Sequence, residues 1–328
     1  MKLPLSVLDL SPVGAGVAPS QAVRESVELA KVADRLGFTR YWFAEHHSMA
    51  SIATSAPEVL IANVVARTER IRVGAGGIMV PNHAPLHVVE TFRTLEALAP
   101  GRVDLGLGRA PGTDPVTAAA LRRSDDEVNH QLAELLAFED GQFPERHPFA
   151  KIMPMPSDVP AGTLWMLGST LAGAQIAAQL GVPYAFAGHF AMRSAKEAIA
   201  TYKSRFEPSK RLAKPYAMCA VTAVCGADDA EAQRLVAPMK VAVVNTRTGK
   251  RLPICTIDEA LDRKFTSDEQ AIIDDFMLGA VIGGPSLCGE QLPALAKDIG
   301  ADELMLSTLI PGLDARTQSL ERIARVMA

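Results

Sequence analysis

The chain has 328 residues, of which 48% are hydrophobic and 21% charged, a composition typical of a globular protein and not of a disordered or coiled-coil one. The 33 basic residues against 37 acidic ones give a net charge of −4, which argues against nucleic acid or an anionic membrane as the main partner. The four cysteines lack C-x-x-C spacing, no apolar run reaches membrane-spanning length, and the pattern of residues 1–10 leads us to expect no signal peptide. We therefore expect a cytoplasmic protein without a disulfide framework, a zinc site or a membrane partner.

Short apolar runs alternate with segments of helical periodicity along the whole chain. Eight runs are predicted as strands: Leu5–Leu10, Arg40–Phe43, Ile71–Val80, Val103–Leu107, Leu164–Leu167, Tyr184–Ala187, Tyr216–Val224 and Glu303–Thr308. Between them, helices are predicted over Ser20–Leu36, Ala56–Arg67, Pro85–Leu98, Leu171–Leu180, Ala191–Phe206, Ala230–Val241 and from about Asp314. Repeated strand-then-helix order requires parallel strands. Eight such units predict one α/β domain over residues 1–328, a (β/α)₈ TIM-like barrel.

Two stretches depart from this alternation and are predicted as insertions. Residues 111–162 contain a charged helix candidate, Ser124–Asp140, followed by a run rich in proline and methionine. Residues 245–276 begin with a basic, turn-rich segment. Long insertions in a compact barrel are usually lids or binding loops.

Histidines are concentrated just after the second and third predicted strands. Glu45, His46 and His47 directly follow the second strand, where an acidic residue beside two imidazoles supplies a base that titrates near neutrality and a partner to orient it. A surface-loop pair or a core histidine would explain the same triplet. A zinc site that adds His83 and His87 is disfavoured, because Pro85 breaks their helical spacing.

Three glycines interrupt the third predicted strand. The run Val73–Pro81 contains Gly74, Gly76 and Gly77, and glycine weakens a buried strand unless a bulge or a closely approaching group requires it. A kink in the barrel wall and a planar ligand stacked on bare backbone both explain these glycines.

Anion-binding groups follow the fourth and fifth predicted strands. Residues 104–112 mimic a dinucleotide fingerprint, but Pro111 and Pro115 prevent the helix that such a site needs. Arg109 at the strand end instead suits a phosphate or carboxylate clamp. The residues Gly168–Thr170 open the next helix with backbone amides and two hydroxyls, although an ordinary N-cap explains the hydroxyls equally well. Together these groups predict a phosphate site.

Four motifs of this chain form a specific combination. They are Arg40-Tyr-Trp-Phe-Ala-Glu-His-His47, Val73-Gly-Ala-Gly-Gly-Ile-Met-Val-Pro81, Asp104-Leu-Gly-Leu-Gly-Arg-Ala-Pro-Gly112 and Ala185-Phe-Ala-Gly-His-Phe190. The combination resembles the bacterial luciferase-like flavin monooxygenases, most closely the single-component branch related to the luciferase α chain. That family is a TIM-like barrel that binds reduced FMN, which a separate reductase usually supplies.

The resemblance implies roles for individual residues. His46 matches a catalytic base, which Glu45 would assist in proton transfer. Gly76 and Gly77 match a pair joined by a non-prolyl cis peptide bond, against which the flavin ring packs. Arg109 matches the arginine that binds the flavin phosphate, and the loop formed by Gly168, Ser169 and Thr170 matches the phosphate-binding loop.

Other positions are candidates for the substrate pocket or depart from the family pattern. Asp9, His47 and His189 are candidates for the substrate pocket, although structural roles are equally compatible with Asp9 and His189. Gly108 stands where the luciferase α chain has a reactive cysteine, so nothing in the sequence supports light emission. Gly173 stands where relatives often carry a serine that faces the phosphate, a difference that would loosen phosphate binding.

The predicted function is that of an FMN-dependent monooxygenase, which uses reduced flavin and O₂ to oxygenate a small apolar or carbonyl substrate. A hydride-transferring enzyme that uses the deazaflavin F420 and a non-catalytic flavin-binding protein are the alternatives. A transient flavin reductase is the expected partner. The resemblance also implies a homodimer, for which Ala56, Ala62 and Ala66 would allow close approach of the second predicted helix.

Overall fold

The computed structural model describes residues 2–110, 112–121 and 128–328. It contains nine strands: β1 Leu5–Asp9, β2 Arg40–Phe43, β3 Arg72–Met79, β4 Val103–Gly108, β5 Thr163–Gly168, β6 Tyr184–Phe186, β7 Ala217–Cys225, β8 Val281–Gly283 and β9 Glu303–Ser307. All eight predicted strands are present, with bounds that differ by one residue at most. The sequence analysis missed only β8, whose three residues are too short a run for an apolar pattern to mark.

Eight of the strands close into a barrel. They pair in the parallel order β1, β2, β3, β4, β5, β6, β7, β9, and β9 returns to β1. The short β8 pairs only with the end of β7, outside this ring. The predicted (β/α)₈ TIM barrel is therefore confirmed.

Helices surround the barrel. Their bounds are α1 Pro19–Leu36, α2 Pro57–Val65, α3 Pro85–Leu98, α4 Pro115–Ala120, α5 Val128–Asp140, α6 Leu171–Leu180, α7 Gly188–Ala191, α8 Ala195–Ser204, α9 Asp229–Arg247, α10 Ile257–Asp262, α11 Ser267–Phe276, α12 Pro285–Ile299 and α13 Leu313–Val326. In the part of the chain that the structure describes, no helix has the length and apolar character needed to cross a membrane.

The strands are buried on both faces, which is why they form continuous apolar runs in the sequence. Outward-facing side chains such as Val7 and Val73 belong to the main core between the sheet and the helices. Inward-facing side chains, among them Leu8, Trp42 and Trp165, form a second core inside the barrel. Alternate residues of one strand therefore serve two different cores.

The described residues of the first predicted insertion form two helices, α4 and α5. The helix predicted over residues 124–140 is present from Val128 to Asp140, and residues 124–127 lie outside the described part of the chain. The helix packs against α3 and buries Leu132, Leu135 and Phe138. This segment therefore adds to the helical layer of the barrel.

The second predicted insertion begins later than expected, because α9 continues to Arg247 and buries Asn245. The following segment crosses the C-terminal end of the barrel, where Ile254 bridges to Gly14 and Arg251 forms a 2.9 Å ion pair with Asp114. The helices α10 and α11 then each begin with a Thr-x-x-Glu capping box, which satisfies free amides at the helix start.

Candidate active site

A cavity of about 740 Å³ opens at the C-terminal end of the barrel. Its wall includes the loop after β2 and the last residues of five strands, namely Met79, Gly108, Gly168, Phe186 and Ser307. In barrels of this type the C-terminal ends of the strands and the loops that follow them build the active site. The cavity is therefore the candidate active site.

His46 lines this cavity directly after β2. Its backbone N–H donates to the Thr54 carbonyl at 2.8 Å, which fixes the loop. The ring atom Nδ1 is shielded from solvent and has no hydrogen-bond partner among the described residues. Burial lowers the pKa of His46 to about 4, against a smaller upward effect of Glu45, and His47 lowers it further. The imidazole is therefore neutral at pH 7 and able to accept a proton, although it does not titrate near neutrality as the sequence suggested.

Glu45 has four donors around its carboxylate, and none of them is His46. Its Oε1 accepts from His47 Nε2 and Asn82 Nδ2, both at 2.9 Å. Its Oε2 accepts from the Met79 amide at 2.7 Å and from His83 Nε2 at 3.0 Å. An ionised carboxylate only accepts, so both imidazoles donate their Nε2–H. Glu45 thus fixes the end of β3 and two other histidines, whereas the sequence analysis expected it to assist His46.

Among the side chains around Glu45, His83 has the largest effect on the pKa of its carboxyl group. Burial alone would raise the pKa of Glu45, but the hydrogen bond and the charge of His83, with the bonds from Met79 and Asn82, hold this pKa below its ordinary value. Burial would lower the pKa of His83, yet Glu45 raises it above the ordinary value. The two groups stabilise each other's charged forms, which favours a positioning role for Glu45.

Two further polar groups of the cavity lack partners. His189 in α7 lines the wall near His46, and its Nδ1 is buried with no partner in the described ranges. Burial lowers its pKa to about 4, and His46 lowers it further, which places the two rings close together. Thr222 in β7 is 2% exposed, and its Oγ1 likewise lacks a partner among described residues. Buried polar atoms usually bind something, so these atoms indicate where a ligand would donate or accept hydrogen bonds.

The predicted phosphate groups converge at one end of the cavity. Arg109 follows β4, and the loop from Gly168 to Thr170 follows β5. Thr170 Oγ1 accepts from the Gly173 amide at 3.4 Å and so caps α6. Arg109 Nη2 lies 3.8 Å from the position that a Cβ on Gly173 would take. A guanidinium over the first turn of a helix forms a site suited to an anion.

The peptide bond between Gly76 and Gly77 is cis, as the resemblance implied, and the register between β3 and β4 shifts there. Gly76 lines the cavity. A Cβ on Gly76 would lie 2.9 Å from Trp42, and one on Gly77 would lie 2.7 Å from the Gly106 carbonyl oxygen. Packing within the barrel thus requires glycine at both positions. A larger residue at Gly77 would disturb the fold, so such a variant is a poor test of ligand binding.

Two of the three candidates for the substrate pocket lie elsewhere. Asp9 is buried against the helical layer, where it accepts from Arg316 Nη1 at 3.0 Å, from the Ser11 amide at 2.8 Å and from the Tyr41 hydroxyl. His47 is held by Glu45, and neither Asp9 nor His47 is among the described residues that line the cavity. Only His189 faces it.

Other lining residues were missed by the sequence analysis. Methionines from β7, β9 and α9 contribute an apolar wall: Met218, Met305 and Met239. The last turn of α9 contributes Arg247. The sequence shows the apolar run of β7 and the helical spacing of apolar residues in α9. Neither pattern shows which face of the strand or helix lines a cavity. No group of three or more histidines, cysteines or carboxylates among the described residues is arranged to hold a metal ion.

Several proteins have sequences similar to that of this chain. The sequence profile of the luciferase-like monooxygenases matches residues 3–303. A luciferase-like monooxygenase of Escherichia coli (strain K12) is 38% identical over 320 residues, which cover 96% of this chain and 94% of the relative. An N-acetyl-S-alkylcysteine monooxygenase of Bacillus subtilis (strain 168) is 38% identical over 187 residues, 56% of each chain.

Solved structures share the fold. Apo-MsnO8 is 34% identical with a TM-score of 0.87, over 99% of this chain and 98% of that one. A type II Baeyer-Villiger monooxygenase, the oxygenating constituent of 3,6-diketocamphane monooxygenase from Pseudomonas putida, was solved with FMN and has a TM-score of 0.72 at 19% identity, over 99% and 97% of the chains. An F420-dependent secondary alcohol dehydrogenase has a TM-score of 0.69 at 14% identity, with both chains fully covered. The profile match and the E. coli relative establish that this protein is an enzyme of the luciferase-like monooxygenase family.

Proposed function

We propose that this protein is an FMN-dependent monooxygenase, which uses reduced flavin and O₂ to oxygenate a small apolar or carbonyl substrate. One observation carries the proposal: a single cavity joins an anion site at Arg109, a side-chain-free wall at Gly76 and the neutral imidazole of His46. The name of the Bacillus subtilis relative supports a substrate with an apolar part, because an S-alkyl group is apolar.

The residues present fit FMN. Arg109, the Ser169 and Thr170 hydroxyls and the amides at the start of α6 would hold the phosphate. Gly76 would face the ring system, since no side chain projects from the cavity wall there. Reduced FMN, when bound, supplies the electrons with which O₂ is activated. The structure solved with FMN in a protein of the same fold supports this choice of cofactor.

The side chains of the chain itself would manage protons and water. His46 is neutral at pH 7 and accepts a proton at a ring nitrogen, with Nδ1 buried and without a partner among described residues. His189 is also neutral at pH 7, so it would not repel the positive charge that His46 acquires when it takes up a proton. Met218, Met239 and Met305 line the cavity with apolar surface and exclude water from it.

The phosphate clamp gives the most direct test. Hydrogen bonds to a charged group contribute about 1.5–3 kcal/mol, so Arg109→Ala should weaken FMN by about 10- to 150-fold. Riboflavin lacks the phosphate and should lose little affinity in the same variant, which makes it the internal control. Titration of both ligands, followed by flavin fluorescence, measures the two losses. Equal losses would mean that Arg109 supports the barrel and does not bind phosphate.

The F420-dependent alternative has its own support, because a dehydrogenase that uses F420 shares the fold. Such an enzyme would transfer hydride without O₂. Absorbance titrations with FMN and with F420, followed by oxygen uptake during turnover, separate the two. Tighter binding of F420 and turnover without oxygen uptake would replace the monooxygenase proposal.

The finer features of the assembly are also proposals. A separate flavin reductase would deliver reduced FMN, and the four free thiols agree with a reducing cytoplasm. A homodimer would form through α2, where Val59 is 64% exposed beside the small residues Ala62 and Ala66. Light scattering on the eluted protein measures the mass, and a monomer at micromolar concentration would contradict the dimer.

A further inference from the structure

Helix α9 places one face of its last three turns over the cavity. The lining residues on this helix are Met239, Ala242, Val243, Thr246 and Arg247. Their spacing of three and four residues is that of a single helix face. The face is apolar in its first turns and ends in a guanidinium at the mouth of the cavity.

Arg247 differs from the next two arginines of the chain, Arg251 and Arg263. Arg251 forms an ion pair with Asp114 at 2.9 Å, and Arg263 forms one with Glu269 at 2.8 Å. No carboxylate in the described ranges lies within ion-pair distance of the Arg247 side chain. A basic side chain in the last turn of a helix interacts favourably with the helix dipole, whichever face it lies on. The dipole therefore does not explain why Arg247 lies on the face that lines the cavity.

The chamber beneath α9 is lined mainly by apolar side chains, with the hydroxyls of Thr222 and Ser307 on neighbouring strands. Met218 and Ala220 contribute from β7 and Met305 from β9, and the unpartnered Thr222 Oγ1 lies in the same wall. Among the described lining residues, the basic side chains other than the histidines are Arg109 and Arg247. Arg109 follows β4 and faces the start of α6, whereas Arg247 comes from the helix after β7. The cavity lining therefore includes two arginines that come from different parts of the barrel.

We propose that Arg247 binds a carboxylate of the substrate at the cavity mouth, while the apolar part of the substrate occupies the methionine-lined chamber. This inference rests on the proposed function in one respect, namely that the molecule bound by Arg247 is the substrate of the enzyme. A guanidinium pairs with one carboxylate through two parallel hydrogen bonds. The predicted substrate class is thus a small apolar molecule with a single carboxylate, and Arg247 is the residue that selects it.

Matched probes test this without turnover. Octanoate and octanamide have the same chain and similar size, and they differ in the charge of the head group. Calorimetric titration of each into the full-length protein gives the preference for the anion. Octanoate should bind more tightly than octanamide, and Arg247→Gln should weaken octanoate by about tenfold while octanamide changes little. Arg247→Lys should retain part of the preference, because it keeps the charge but loses the paired geometry.

Arg234→Gln is the control variant. Arg234 is exposed on the same helix and is not among the described residues that line the cavity, so this change removes the same charge without touching the mouth. It should leave the preference for octanoate unchanged. Equal affinity of the unmodified protein for both probes, or equal losses in the two arginine variants, would overturn the inference.

FMN titration of the same variants separates this inference from the proposed function. Arg247→Gln should bind FMN like the unmodified protein. A loss of FMN affinity with unchanged octanoate binding would assign Arg247 to the cofactor and overturn the inference. If FMN fails to bind any of the proteins while Arg247→Gln still loses octanoate, the proposed function fails and the carboxylate site stands.

Discussion

The two ends of the barrel use polar residues in different ways. At the N-terminal end, Asp104 accepts from Arg40 Nη1 at 2.9 Å and from Arg72 Nη2 at 2.6 Å. Glu303 accepts from Arg40 Nε at 3.1 Å and from the Tyr216 hydroxyl at 2.7 Å. Both carboxylates are fully buried, so these charges stabilise the barrel through one another.

At the C-terminal end, three buried polar atoms that line the cavity have no partner within the described chain, although the nearby Glu45 carboxylate is fully paired. His46 Nδ1, His189 Nδ1 and Thr222 Oγ1 surround the cavity in this state. An unpartnered buried group lowers stability, typically by about 1–3 kcal/mol. The comparison teaches that the buried carboxylates are paired at both ends of the barrel, whereas unpaired polar atoms that face the cavity are found at its C-terminal end.

The largest effect should follow removal of the base at the C-terminal end of the barrel. His46→Asn keeps a polar side chain but cannot accept a proton at neutral pH, so oxygenation should fall by about 100- to 10,000-fold. FMN affinity and thermal stability should change little. Oxygen uptake with a supplied reductase measures the rate, and His130→Asn on an exposed side chain is the matched control. Turnover equal to that of the parent would show that His46 is structural.

The next largest effect should be a loss of stability when the ion-pair network at the N-terminal end of the barrel is broken. Asp104→Asn leaves Arg40 and Arg72 without their shared carboxylate and weakens the acceptor of Trp42 Nε1. Breaking a buried ion pair costs about 3–5 kcal/mol, so the free energy of unfolding should fall by this amount. Urea unfolding measures it, and FMN affinity of the folded variant should stay within about twofold.

The control for Asp104→Asn is an exposed ion pair. Asp298 pairs with Lys196 at 2.6 Å with both side chains largely exposed. Such pairs contribute about 0–1 kcal/mol, so Asp298→Asn should hardly change the unfolding curve. If the two variants lose equal stability, the buried network does not carry the stability assigned to it.

The smallest expected effect is the dependence of the free energy of unfolding on pH. The pKa of His46 and that of His189 are about 4 in the folded chain and about 6.5 when unfolded. Between these values the unfolded chain binds more protons, so both residues contribute stability that is present above pH 6.5 and lost as the pH falls towards 4. Arg40 at the N-terminal end of the barrel stays charged throughout, since Asp104 and Glu303 keep its pKa raised against the lowering effect of its burial.

The pH dependence can be assigned by substitution. For His46→Asn, the rise in the free energy of unfolding between pH 5 and 6 should be smaller than in the parent by about one proton's contribution, about 1.4 kcal/mol per pH unit. His189→Asn should behave alike. The raised pKa of His83 acts in the opposite sense, because its contribution is present below pH 6.5 and lost as the pH rises through the folded value. Parallel curves for parent and variant would contradict the lowered pKa of His46.

Much of the fold was determined by local sequence. The eight barrel strands were predicted to within a residue because each is a short apolar run bounded by turns, and the parallel order followed from the helices between them. The grouping of His46, Gly76, Arg109 and Thr170 was also predictable, because the C-terminal ends of barrel strands meet on one rim.

The choice of side-chain partners was decided by the tertiary structure alone. In extended backbone, neighbouring side chains point to opposite sides, so Glu45 shares a side with His47 and not with His46. Its further partner His83 is 38 residues away. Asp9 likewise points out of the barrel to Arg316, 307 residues later, although Leu8 beside it lines the cavity.

His189 and Arg247 are two further residues whose contacts could not be predicted from the sequence. The motif around His189 was visible, but its approach to His46 depends on the closure of β6 against its neighbours. Arg247 lies in a helix whose periodicity is plain, yet only the packing of α9 over the strand ends turns that face towards the cavity. Local sequence fixes which elements form, because propensity and apolar spacing act over a few residues. Contacts between residues far apart in the chain arise only when the barrel closes, so closure decides which charges pair and which remain for a ligand.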